Sequence, residues 1–186
     1  MLHRCRHLMT PISYLRLRSP DLWVYKWVLP VIISSIAILG FYALPVEPPL
    51  FTEKGLVNTV NSLLNTLIGF YIAALAAVAS FPNKSLDEPM RGRAPTIANY
   101  RQGNFFEEKL TRRRFLVILF GYCSFISIIL FATGVISIMV SPSFGQCSVA
   151  PLLKVIWLAI YLTMGSSLFI ATLLGLHYLI DRMHRD

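Results

Sequence analysis

The sequence predicts an all-α membrane protein with four transmembrane helices and both termini on the cytoplasmic side. Three observations predict it. Of 186 residues, 55% are hydrophobic and only 14% are charged, where a soluble domain carries about 25% charged residues. Mean hydropathy is +0.62, and a water-soluble fold of this length, still exposing about a third of its unfolded surface, cannot hide so much apolar area. Finally, four stretches free of Asp, Glu, Lys and Arg reach the ~20 residues that a helix needs to cross a ~30 Å hydrocarbon layer. A soluble globular enzyme and a disordered chain are excluded. The alternating pattern of membrane barrel strands is absent.

The leader, residues 1–26, is basic and ends in Trp23, Tyr25 and Trp27 interleaved with Lys26, the pattern of an aromatic belt at a membrane interface. Leu15-Arg16-Leu17-Arg18 suits a short segment lying on anionic headgroups. The first transmembrane hairpin is 27–81. Its first span runs from Trp27 to Val46, with Pro30 expected in the first helical turn, where a missing N–H breaks no intrahelical bond. Pro45, Pro48 and Pro49 close it. That span is too long, and its leader too extended, for a cleaved signal peptide. The second span runs from Gly55 to Phe81. The second hairpin, 115–180, holds a third span from Phe115 to near Val140 and a fourth from Val155 to Ile180, followed by a short tail, 181–186.

Between the hairpins lies the one connection long enough for structure of its own, 82–114. Its first half, with Pro82, Pro89, Gly92 and Pro95, reads as loop. In its second half Asn104, with Glu107 three residues on, matches an N-cap and its capping-box partner, and Glu108 can meet Arg112 at i,i+4. The third helix is therefore expected to begin near Phe105 and extend into the cytosol before Arg112, Arg113 and Arg114 ring it at the headgroups. Orientation follows from the basic residues: 15 of the 17 Lys and Arg fall in 1–26, 82–114 and the tail, leaving Lys54 and Lys154 on the other side. The Lys/Arg-rich side is the cytoplasm.

Chemistry within the membrane requires ionisable groups there, which are costly and so seldom accidental. The four runs contain none except His177, and no nucleophile triad, paired carboxylates, zinc motif or phosphate loop lies in them. No enzyme activity and no cofactor is expected. His177, Asp181 and His184 share a helical face at i, i+4 and i+7 and could reach a metal, but polar residues collect at helix ends regardless, so no metal site is expected. Cys5, Cys123 and Cys147 fall in three different environments, which argues against an intrachain disulfide.

The second span carries the most informative polar pattern. Asn58, Asn61 and Asn65 lie on one face beside Ser62 and Thr66. Amides facing lipid leave donors and acceptors unsatisfied, so this face must meet protein or water: either a hydrogen-bonded hub between subunits or the lining of a narrow wet path. Gly69, Ala73 and Ala77, and in the fourth span Ser167, Ala171 and Gly175, recur every four residues, the spacing of close helix packing. Ordinary packing within one subunit is expected of both. On the cytoplasmic side Arg112 to Arg114 suit anionic lipid headgroups, whereas Arg91, Arg93 and Arg101 sit where a loop carries them to a protein partner, for which the bidentate arginine fork is well shaped.

The size, the four spans with both termini inside, and the stretch Ser19-Pro20-Asp21-Leu22-Trp23-Val24-Tyr25-Lys26 leading into the first span resemble the KwaA family, the membrane subunits of the bacterial Kiwa antiphage defence system. The resemblance implies a homo-oligomer, a tetramer, in the bacterial inner membrane, whose cytoplasmic face binds a soluble DNA-binding partner of the KwaB type. No direct contact of this chain with nucleic acid is implied. Three readings compete: a non-enzymatic sensor and scaffold, favoured by the basic inner surface; a homo-oligomeric pore, favoured by the Asn face; and a metal-dependent enzyme at the membrane interface, using the His177 face.

Overall fold

The computed structural model describes residues 13–15, 17, 20–43, 49–52, 55–80, 96–101, 104–140 and 150–183. A single 3-10 turn at 13–15 precedes α1 (Pro20–Trp23), a π-helical stretch (Val24–Val28) and α2 (Leu29–Ala43). Then follow α3 (Leu56–Ser80), the strands β1 (Thr96–Arg101) and β2 (Asn104–Lys109), α4 (Arg112–Val140) and α5 (Ala150–Met183). Four helices are long and apolar enough to cross a membrane: Val24–Ala43, Leu56–Ser80, Arg112–Val140 and Leu152–Leu179.

Pro30 does not sit in a first turn. The helix starts ten residues earlier, at Pro20, a residue favoured at the first helical position, so Pro30 lies inside it. A proline there removes one ladder bond and presses on the carbonyl four residues before it. The helix answers by widening just upstream, where the Leu29 N–H bonds to the Val24 carbonyl in the i→i+5 pattern of a π turn. The start of α3 is closed by the chain before it. The Leu56 and Val57 amides donate to the carbonyls of Pro49 (3.1 Å) and Leu50 (3.2 Å), satisfying two donors that a helix N-terminus leaves open. This return requires Gly55, because a Cβ there would lie 2.6 Å from the Leu50 carbonyl oxygen.

The third helix begins later than the sequence signals say. Residues 104–109 form β2, antiparallel to β1 in the register Arg101↔Asn104 to Thr96↔Lys109. Asn104 is therefore a strand residue and no N-cap, and Glu108 is not a helical neighbour of Arg112. Thr111 caps α4 instead, its Oγ1 accepting from the Arg114 amide at 3.3 Å. Leu110, 1% exposed, anchors the junction in the core.

The helices pack in the order α2, α5, α4, α3: the second sequential hairpin, α4 with α5, packs as one, with α2 against α5 and α3 against α4. Hydrogen bonds join α5 to each of the others: Thr163 Oγ1 donates to Ser34 Oγ of α2 at 3.0 Å, Tyr122 of α4 pairs with Ser167 at 2.9 Å, and Tyr71 of α3 pairs with Thr172 at 2.6 Å. Such contacts between membrane helices contribute about 0.6 kcal/mol each. The core centres on α4, which buries Phe115, Leu116, Leu119, Phe120, Tyr122, Cys123, Ser127 and Leu130. From α3 the buried residues Val57, Leu64, Tyr71 and Val78 recur every seven positions, the period of a left-handed helix pair. The stripe Ser167, Ala171 and Gly175 does pack internally, Gly175 lying against Leu119 and Phe120. Its counterpart on α3 does not: Gly69 and Ala73 are exposed, and no side chain approaches Gly69.

Candidate functional site

Two surfaces carry the candidate residues. At the end of the bundle where Arg112 to Arg114 open α4, the leader folds back rather than lying apart. Tyr14 and Leu17 are buried, the Tyr14 ring lies 4.7 Å from that of Tyr122 of α4 at a tilt of 33°, and Lys26 holds the fold-back from the other side. Its Nζ donates to the Leu17 carbonyl at 2.8 Å and lies 4.9 Å from the centre of the Tyr14 ring. Lys26 is only 6% exposed, so this lysine is a structural clamp. Burial pushes the Tyr14 phenol above its ordinary range. Trp23, Tyr25 and Trp27 all face outward, as an interfacial belt requires.

Of the basic residues, Arg113 reaches across to α3, its Nη1 donating to the Ala79 carbonyl at 3.3 Å and so satisfying a C-terminal acceptor of that helix. Arg112 is half-buried and Arg114 is exposed. Arg101 ends β1, opposite Asn104, and its side chain lies outside the described residues, as do Arg91 and Arg93. The hairpin that carries Arg101 is a two-stranded sheet, and among the described residues no helix packs extensively on it.

The second surface is the Asn face. Asn58, Asn61, Ser62 and Asn65 of α3 form one wall of a groove of about 420 Å³, and Phe131, Val135, Ile138 and Met139 of α4 form the other. The three amides differ. Asn65 is exposed, Asn58 is half-buried, and Asn61 is 5% exposed. Gly134 decides the last case: a Cβ at that position would fall on the Asn61 amide, whose Nδ2 it would meet at 2.7 Å. The Asn61 Oδ1 is buried with no hydrogen-bond partner among the described residues. The sequence places the three amides on one helical face, and they line one groove, but it gives no hint of Gly134, one of two glycines in that span.

Among the described residues no group of three His, Cys, Asp or Glu is placed to hold a metal. His177 is exposed on α5, while His184 and the side chain of Asp181 lie outside the described residues. Cys123 is a buried free thiol, and Cys5 and Cys147 fall outside the described residues. Comparison with protein-family models, curated proteins and solved structures gives no match.

Proposed function

We propose that this chain is a non-enzymatic sensor and scaffold of the bacterial inner membrane, with both termini in the cytoplasm, that assembles with copies of itself and recruits a soluble DNA-binding effector in antiphage defence. The observation that carries the reading is the β1–β2 hairpin. It stands in the segment richest in Lys and Arg, directly before α4, and among the described residues no third strand pairs with it. A lone two-stranded hairpin is marginal in water, and open edges are templates for a strand from another protein. The surrounding charge supplies what a docking surface for an acidic partner needs, and anionic lipids take up the arginines nearest the membrane.

The Asn groove supports a second reading, a pore shared between copies, which ion flux through liposomes holding the purified protein distinguishes from the first. Recruitment is tested by Arg91→Ala, Arg93→Ala and Arg101→Ala together, with membrane cofractionation of the soluble partner as the readout. The partner is expected to leave the membrane fraction while insertion and oligomer mass stay intact. Undiminished cofractionation contradicts the docking role of these arginines.

A further inference from the structure

The residues that the first membrane helix turns inward do not follow an α-helical stripe. Leu22, Lys26, Pro30 and Ser34 are buried at strict four-residue spacing, while Trp23, Val24, Tyr25 and Trp27 between them are exposed. In an α-helix each four-residue step overshoots a full turn by about 40°, so Ser34 would stand about 120° around the helix from Leu22. The π turn at Val24–Val28 removes that drift. Its bond from the Leu29 N–H to the Val24 carbonyl encloses one residue more than an α turn does, which winds the helix back by about 100°. Leu22 and Lys26 thereby come into line with Ser34, whose Oγ accepts from Thr163 of α5 at 3.0 Å.

Pro30 ties this turn to Lys26 itself. The carbonyl four residues before Pro30 belongs to Lys26; the proline ring presses on it, and it loses its α-helical donor. Through its side chain Lys26 fastens the leader, with Nζ donating to the Leu17 carbonyl at 2.8 Å and lying 4.9 Å from the centre of the Tyr14 ring. The Leu17 amide in turn closes on the Tyr14 carbonyl at 3.2 Å. Wound as an unbroken α-helix, the same sequence would turn Lys26 about 100° away, off the Leu17 carbonyl. We propose that the π turn is a register switch for the leader: with the turn present Lys26 clamps Tyr14 and Leu17 to the bundle, and when the turn closes to α the clamp opens and the leader is released. The exposed Trp23, Tyr25 and Trp27 ride on the same stretch of helix, so a change in how the membrane interface holds these rings is passed to the leader as a rotation. The device is independent of self-assembly and of partner recruitment.

The test is amide exchange of the full chain in mild detergent, read at 13–17 and, as the control, along the middle of α4. Pro30→Ala restores the missing donor and removes the ring, which lets the turn close, although Pro30 lies well outside the leader. Exchange at 13–17 is expected to quicken about tenfold, the scale of one lost charge-assisted hydrogen bond, with α4 unchanged. Lys26→Met opens the clamp directly and is expected to give the same result. Deletion of the exposed Trp27 in the Pro30→Ala background decides the register. An α-helix one residue shorter holds Leu22 and Lys26 at about the angle that the π turn gives them, so native exchange at 13–17 is expected to return. Unchanged exchange at 13–17 in Pro30→Ala or in Lys26→Met overturns the proposal. So does faster exchange that the deletion fails to restore, whether confined to the leader or spread into α4, because Pro30 then acts through packing and not through register.

Discussion

At the scale of single residues, the contact between Asn61 and Gly134 does the most with the least. The amide lies flat on the glycine backbone because no Cβ stands in the way, which lets a polar side chain sink into the α3–α4 contact while Asn65 one helical turn on remains exposed. Gly134→Ala is expected to lower stability by about 1–3 kcal/mol, as overpacking of a tight contact does. The double variant Gly134→Ala with Asn61→Ala is expected to recover most of that loss, because the shortened side chain removes the collision. The measurement is the thermal midpoint in mild detergent for both single variants and the pair, read as a double-mutant cycle. Losses that simply add would show that the two residues do not act on each other. Lys26 shows the converse: read as one charge among fifteen on the basic side, it is also the donor that fastens Leu17. Sequence spacing could not reveal this, since the two positions meet only because the leader turns back.

At the scale of elements, the membrane helices were legible and the pieces between them were not. A span announces itself through length and hydropathy, which no tertiary contact reverses. The start of α4 depends on competition between local signals. Asn104 and Glu107 satisfy a capping-box pattern worth about 1 kcal/mol, but the flanking residues Ile97, Tyr100, Phe105 and Phe106 favour strand, and the two-residue connection Gln102-Gly103 has the length and the glycine of a tight hairpin. The strand reading wins, and Thr111 takes over the cap. The fold-back of the leader was illegible for another reason: Tyr14 meets Tyr122 of α4, more than a hundred residues away. Tyr14→Ala removes the ring between Tyr122 and Lys26. Truncation of a buried aromatic costs about 3 kcal/mol, and the loss is expected to stay local, as faster amide exchange at 13–17 with exchange in the middle of α4 unchanged. Unaltered exchange in the leader would mean that the fold-back is not held by this ring.

At the scale of the whole molecule, the account joins three asymmetries. Basic charge gathers in the leader, the 82–114 segment and the tail. The core gathers on α4, while among the described residues a face of small residues on α3 is exposed. The two-stranded hairpin stands in the 82–114 segment. Recruitment of a soluble cytoplasmic partner, as proposed above, depends on which side the basic segment occupies. Reporters that are active on only one side of the membrane measure this most directly, when fused after Asp186, within 82–114, near Glu53 and near Gln146. The account predicts that the first two read cytoplasmic and the last two external; an external C-terminus, or an external 82–114 segment, would contradict the orientation and with it the recruitment of a cytoplasmic partner.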